Sequence, residues 1–401
     1  MPAIIVVGAS LAGVNAAHAI HRVDPDGELT VVGAELHRPY DRPPLSKAYL
    51  AGSADEDRLA LRAAAADDAL GATWRLGVPA SGLALSDDAA TVHLADGSSV
   101  TGDGVVVATG CRPRTLPGVD RDGVITLRTL DDARWLRERL HGESGSMVVV
   151  GFGFIGAEVA ATARTAGWQV TIVEAETAPL SRVLDEGSGA TIAEVHRQHG
   201  VDVRLGATVE SVNGDAAVES VTLSDGTTVP CSVVVVGIGV IPDLDWLDGS
   251  GLEVDNGLVA DATTLVAPRV VAAGDAARWH NPRYGRPMRV EQWDNAVEMG
   301  AHAGRRILSA LAGADGQPYE PVPWFWSDQY DRKYQLAGMP SDRAEVIQGD
   351  LGASRFVVLY LGVDDRPVGV FCSNRPRQAI QGRQGLAAGS DRAAMVELLS
   401  E

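Results

Sequence analysis

The turn Gly151-Phe152-Gly153-Phe154-Ile155-Gly156 follows the apolar run "MVVV" and opens an alanine-rich stretch. Glu174 stands about 20 residues downstream, the spacing of a dinucleotide-binding turn and its acid. Glycines at these three places let a strand-to-helix turn bring its backbone close to a pyrophosphate. The helix dipole and the unpaired N–H groups at the helix start favour that anion. A carboxylate at Glu174 accepts from both adenosine ribose hydroxyls and repels a 2′-phosphate, which predicts NAD(H) in preference to NADP(H). Arg182 either complicates that preference or is a solvated loop charge.

A second turn, Gly8-Ala9-Ser10-Leu11-Ala12-Gly13, follows "AIIVV" but carries Ser10 where the middle glycine would stand. Alone it reads equally as a pyrophosphate site or as a tight turn with no ligand. Aligning "LTVVGAE" with "VTIVEAE" sets Gly33 opposite Glu174, which leaves Glu35 as the ribose-binding candidate. Two dinucleotide sites in one chain point to hydride transfer from a nicotinamide to a flavin. A third chemical candidate is Lys47, in "PYDRPPLSK". It is one of only two lysines in the chain, the other being Lys333, and three prolines surround it.

Parallel sheets are needed to present such turns. "AIIVVGASLAGVNAAHAI" and "MVVVGFGFIGAEVAATARTAGWQVTIVE" each read as a buried strand, a glycine turn and a helix, with "VTIVE" as a further strand. Their continuous β-branched runs suit strands covered on both faces. The runs "GVVVATG", "SVVVVGIGV" and "RVVAAGDAA" end in glycine, at strand ends where doubly wound sheets bind ligands. "ATVHLADGSSV" and "SVTLSDGTTV" predict hairpins turning at Asp96-Gly97 and Asp225-Gly226. Each hairpin would belong to a small antiparallel layer appended to one Rossmann-type unit. Beyond about residue 318 the chain becomes aromatic and proline-rich, then reads as paired strands and a short helix, an α+β domain.

The 401 residues exceed one ordinary core, so two or three domains are expected. No apolar run approaches the roughly 20 residues that cross a bilayer. The opening "MPAIIVVGAS" has no basic leader, so a cytoplasmic protein is expected. A net charge of −19 argues against nucleic-acid binding. Cys111, Cys231 and Cys372 are far apart and form no C-x-x-C pair; no metal site is expected.

Taken in order, "PYDRPPLSK", "ATG" at Ala108–Gly110, "GFGFIGAE", "AAGDAA" and "FWSDQ" resemble FAD-dependent ferredoxin reductases of the putidaredoxin- and rhodocoxin-reductase type. Members of that group serve cytochrome P450 or Rieske oxygenase systems. The resemblance runs from residue 3 to about 385. It implies a glutathione-reductase-like fold with two Rossmann-type dinucleotide-binding domains and a C-terminal α+β interface domain. The expected boundaries are 1–108 and 243–317 for the FAD domain, 109–242 for the NAD domain and 318–401 for the last. Disulfide and peroxide chemistry would need a redox cysteine after the first loop, and "RPPLSKAYLAG" has none.

The same resemblance implies site residues. Asp275 would meet the ribityl chain, or cap a following helix. Gly8, Ser10, Ala12, Gly13, Glu35, Arg42, Ala80, Thr109, Arg128 and Trp293 complete the expected non-covalent FAD site, with Trp326 packing on the isoalloxazine. NADH would meet Gly151, Gly153, Phe154, Ile155, Gly156, Glu174, Arg182, Gly239 and Glu291. Lys47 would pair with Glu158 at the flavin, as a compact cation where negative charge develops on reduction.

Electrons would leave FAD singly for a [2Fe–2S] ferredoxin, whose cluster belongs to a partner because three scattered cysteines cannot supply four thiolates. An acidic ferredoxin would dock on Arg289, Arg305, Arg306, Arg332, Lys333, Arg375, Arg377 and Arg383, the alternative being an unpatterned solvated surface. A monomer is expected. Other acceptors (rubredoxin, a quinone, oxygen) and a redox sensor resembling apoptosis-inducing factor are the competing readings.

Overall fold

The computed structural model describes residues 2–61, 64–117, 119, 121–142, 144–181 and 183–401. The chain divides into two compact units. The first comprises Met1–Asp41, Asp57–Arg112 and Ile241–Pro321. The second comprises Arg42–Glu56, Pro113–Val240 and Val322–Glu401.

In the first unit a six-stranded sheet runs Leu265–Ala267, Val270–Ala272, Gly104–Val107, Ile4–Val7, Leu29–Gly33, Thr73–Leu76. All neighbours are parallel except the outermost pair, Leu265–Ala267 with Val270–Ala272. Ile4, Ile5, Val6 and Val7 are buried, as β-branched strands covered on both faces must be. After Val7 the chain returns through Leu29–Gly33 on one side, while Gly104–Val107 lies on the other. That reversal of order is where doubly wound sheets open a ligand crevice. Helices Leu11–Val23 and Trp293–Leu311 pack so closely that a Cβ on Gly300 would stand 2.3 Å from the Ala12 carbonyl oxygen. The strands Ala80–Leu85, Ala90–Leu94 and Ser99–Gly102 form the expected small layer, and Asp96 accepts from the Ser98 amide at its turn.

The second unit holds a five-stranded parallel sheet in the order Asp202–Leu205, Gln169–Glu174, Ser146–Val150, Val233–Val236, Val124–Ile125. Its appended layer is Val209–Asn213, Ser220–Leu223 and Thr228–Pro230. A further five-stranded antiparallel sheet runs Trp324–Gln329, Arg332–Gly338, Pro367–Ser373, Phe356–Leu361, Ala344–Gly349. Strand alternation gives that sheet two distinct faces. Ala337, Val357, Leu359, Val370 and Cys372 pack with Ala379, Leu386, Met395 and Leu399 of the last two helices. Phe325 and Ser327 of the other face meet Phe154 and Glu158 of helix Phe154–Thr165.

Where three segments were expected, compactness gathers 113–240 and 322–401 into one unit and brings 42–56 with them. The reason is side-chain bonding across the sequence. The Tyr360 hydroxyl donates to Asp185 at 2.6 Å, and Thr162 donates to the Ser46 carbonyl at 3.0 Å.

Candidate functional site

In the first glycine turn, Gly8 has φ +120° and a Cβ there would stand 2.1 Å from the Ala108 carbonyl oxygen. A Cβ on Gly13 would meet the Gly8 carbonyl oxygen at 1.7 Å. Both positions therefore require glycine, and the turn seats directly against the "ATG" strand end. Ser10 precedes helix Leu11–Val23 in an extended conformation, and its side chain does not cap that helix. Ala12 is buried under Gly274, where a Cβ would lie 2.9 Å from the Ala12 Cβ. The same crowding explains Gly33: a Cβ there would meet the Ala9 Cβ at 2.6 Å, so no acid fits at that strand end. Glu35, the ribose-binding candidate, stands two residues later, and the Tyr40 hydroxyl donates to it at 2.6 Å.

Other expected residues of the first unit fall at its strand ends. Thr109 donates to the Asp243 carbonyl at 2.7 Å, and the Trp293 indole donates to Asp41 at 2.7 Å. Ala80 heads its strand opposite Leu94. Asp275 is half-buried in the short turn Gly274–Ala276, which leads into strand Ala277–Asn281 rather than a helix, so the helix-capping alternative does not apply. Glu291 is held by Arg289 at 2.6 Å.

The second turn repeats the plan with two changes. Gly151 (φ +98°) lies against Gly237, and Gly156 against the Gly151 carbonyl, each leaving 2.4 Å for a Cβ. Gly153 is different: nothing lies within 4 Å of where its Cβ would be. It precedes helix Phe154–Thr165 in an extended conformation and, being glycine, brings no side chain to cap it. Exposed Ile155 follows, and Phe154 tilts onto Phe325 with ring centroids 4.5 Å apart. The carboxylate of Glu174 accepts from the Phe152 amide at 2.6 Å and the Glu176 amide at 3.0 Å, which fixes it at the strand end. Gly239 (φ +103°) accepts from the Arg114 amide. Arg182 lies outside the described residues.

These features fit the groups a dinucleotide presents. A cradle free of side chains faces a helix N-terminus in the second unit, with an anchored carboxylate at the ribose position. The first unit offers the same turn, narrowed by one serine.

Lys47 ends the short turn Pro43–Ser46. Its ammonium donates to Glu158 at 2.7 Å and to the Pro43 carbonyl at 3.2 Å. Glu158 is 3% exposed and also accepts from Ser46 at 2.5 Å and Ser327 at 2.6 Å. Of the three ammonium N–H groups, the third has no partner among the described residues. Arg42 lies in the same segment, donating to the Arg128 carbonyl at 3.2 Å, while Asp132 caps the Arg128 and Thr129 amides. Trp326 is half-buried beside Gln335 on the antiparallel sheet.

Residues 2–300 match the pyridine nucleotide-disulphide oxidoreductase family, and residues 324–397 match the reductase C-terminal family. The chain belongs to the pyridine nucleotide-disulphide oxidoreductases. Members of that family bind FAD and a pyridine nucleotide, and this one is an oxidoreductase. It is 37% identical over 390 residues to rhodocoxin reductase of Rhodococcus erythropolis, covering 96% of this chain and 89% of that protein. The identity is also 37% over 390 residues to the ferredoxin–NAD(+) reductase component of the anthranilate 1,2-dioxygenase system of Burkholderia cepacia, covering 96% and 94%. The fold matches putidaredoxin reductase in its covalent complex with putidaredoxin, with a TM-score of 0.91, 34% identity and coverage of 99% and 98%.

Despite the family's name, Cys111, Cys231 and Cys372 are all buried and in no disulfide. Burial pushes the Cys231 thiol up to about 11 and the Cys372 thiol higher still. The docking arginines need correction. Arg306 is buried and braces Thr263, Ser309 and Ala314, and Arg289 is largely covered, bound to Glu291 and to Cys111. A long side chain with its head group bonded inside the fold cannot serve a docking surface. Arg305 is exposed. In the second unit Arg332, Lys333 and Arg377 each face an acid (Asp331, Asp328, Glu401), and Arg383 lies over Trp324.

Sequence reasoning missed Ser46, Ser327, Gln329 and His196. The segment "FWSDQ" holds two of them and was read only for its tryptophan.

Proposed function

We propose that this oxidoreductase is a cytoplasmic NADH-dependent ferredoxin reductase, with the first glycine turn holding FAD and the second taking NADH. The observation that carries the reading is Lys47, a cation clamped by Glu158 with one N–H to spare. When bound, FAD accepts a hydride from NADH and releases the two electrons singly to a [2Fe–2S] ferredoxin. Lys47 offers its third N–H and its charge to the reduced flavin, stabilising the negative charge gained there. Ser46 and Ser327 hold the Glu158 carboxylate where the Lys47 ammonium meets it. Glu174 orients the adenosine ribose and disfavours a 2′-phosphate.

The name of the Burkholderia cepacia relative supports a ferredoxin as electron acceptor in an oxygenase system, which in this proposal is built on a cytochrome P450 or a Rieske oxygenase. Lys333, Arg375 and Arg377 of the second unit supply the remaining candidates for a docking patch, on a single copy of the chain, with Arg305 a separate exposed candidate in the first. Stopped-flow mixing with NADH, followed by a [2Fe–2S] ferredoxin, tests the assignment. Fast flavin bleaching and fast reoxidation that slows steeply as ionic strength rises are expected. Slow bleaching with a persistent charge-transfer band, or reoxidation by oxygen alone, would replace it with a redox sensor or an oxidase.

A further inference from the structure

Glu158 is the end of a buried chain of side chains reaching across the second unit. Ser327 donates to Glu158 Oε1 at 2.6 Å, and Gln329 Nε2 donates to Ser327 Oγ at 3.0 Å. His196 Nε2 lies 3.0 Å from Gln329 Oε1, and the Tyr330 hydroxyl 3.3 Å from His196 Nδ1. Glu158, Ser327, Gln329 and His196 are all buried.

An ionised carboxylate can only accept, and that single constraint orders every link. Ser327 must spend its one hydrogen on Glu158, so its oxygen accepts and the Gln329 atom facing it must be the amide nitrogen. Gln329 then turns its oxygen to His196, whose Nε2 must carry the proton. His196 Nδ1 is left to accept from Tyr330. All the donors point one way, toward Glu158.

We propose that Ser327, Gln329 and His196 are positioning residues, a one-directional hydrogen-bond relay whose donors all serve the carboxylate form of Glu158 and hold it against the Lys47 ammonium. The inference rests on the role given to Lys47 above. Hydrogen bonds donated to a carboxylate favour its charged form. A proton on Glu158 Oε1 would face the hydrogen that Ser327 presents, and one on Oε2 would face Ser46 and the Lys47 ammonium, so neither oxygen takes a proton without a bond now made being given up. The groups facing the relay fit this. Lys47 is the cation against Glu158. At the far end stand His199, stacked on Tyr330 at 3.7 Å between centroids, and Arg164, whose charge acts on Tyr330. Burial pushes His196 down to about 4, so the ring stays neutral and its tautomer stays defined through the physiological range.

The test uses the FAD-loaded enzyme. Removing one hydrogen bond to a charged group, by Ser327→Ala or by Gln329→Met further along, should move the acid limb of flavin reduction by NADH upward. The expected shift is about one pH unit or more for Ser327→Ala. The reduction rate well above that limb should change little, and Ser327→Thr, which keeps the hydroxyl, should restore the limb. A readout without turnover is the ¹⁵N spectrum of His196 in oxidised enzyme. It should show an Nε2–H tautomer whose Nε2 resonance moves in Gln329→Met, where the acceptor is gone. An Nδ1–H tautomer, or acid limbs unmoved in both variants, would overturn the relay. Lys47→Ala reduced at the wild-type rate would instead overturn the role of Lys47, leaving the tautomer result to stand by itself.

Discussion

The two glycine turns are built to one plan, and three of their differences bear on chemistry. Ser10 stands where the second has Gly153, Gly33 where it has Glu174, and Asn15 where it has Glu158, each two residues past the last glycine. The first turn is satisfied at home: Asn15 donates to Leu11 of its own helix, and Glu35 accepts from Tyr40 nearby. The second reaches outward, since Glu158 takes hydrogen bonds from Lys47, Ser46 and Ser327, all more than 100 residues away. One backbone design thus serves two tasks. In the first unit its polar side chains bond locally, and in the second its helix also carries a carboxylate that gathers distant partners.

Glu158→Asn, which gives the second helix the residue of the first, is the strongest way to break that distinction. It leaves Lys47 without its carboxylate and Ser327 and Ser46 without their acceptor. Flavin reduction by NADH is expected to fall about 10²–10³-fold, as when a charge-stabilising group is removed. The fold should lose about 3 kcal/mol, because a half-buried cation and two serines lose their charged acceptor. Wild-type stopped-flow rates would show the two helices to be interchangeable.

Where the turns agree, they should fail alike. Gly8→Ala and Gly151→Ala each place a Cβ at positive φ, 2.1 Å and 2.4 Å from a carbonyl oxygen. Strain and overpacking together should cost each about 3 kcal/mol, read as a lowered denaturant midpoint. A variant of either that melts like the wild type would show that its turn is not seated as described.

Glu174→Gly gives the second strand end the residue of the first. The lost carboxylate no longer accepts from the ribose or repels a 2′-phosphate, so the ratio of kcat/KM for NADH over NADPH should drop about tenfold, or 1.4 kcal/mol. An unchanged ratio would take the cofactor preference away from Glu174.

The parts legible in the sequence are the local ones. Both turns, the Asp96-Gly97 and Asp225-Gly226 hairpins and the position of Glu174 follow from spacing within a few dozen residues. The relay was not legible, because Ser327 and His196 lie 131 positions apart in the chain and meet only when the antiparallel sheet packs on the helices of its unit. Arg306 misled for a related reason. Its charge suggests a surface, and only the fold shows Thr263 and Ser309 waiting for it.

The smallest effect belongs to the middle position of each turn, and it tests what the open space at Gly153 is for. Neither Ser10 (φ −118°) nor Gly153 (φ −78°) has a backbone conformation that demands glycine. Ser10 shows that a Cβ is compatible with this turn, and at Gly153 a Cβ would meet no protein atom. Packing therefore gives no reason for glycine there, whereas a ligand lying against the backbone does. Ser10→Gly, which completes the first motif, should change stability by only a few tenths of a kcal/mol, since serine and glycine are close at this position of a helix. FAD content should be unaltered. Gly153→Ser should be equally silent in thermal melts but should raise KM for NADH several-fold with kcat nearly unchanged. Equal KM values would mean that the nucleotide does not approach at Gly153. A lowered Tm would mean that the space is not open.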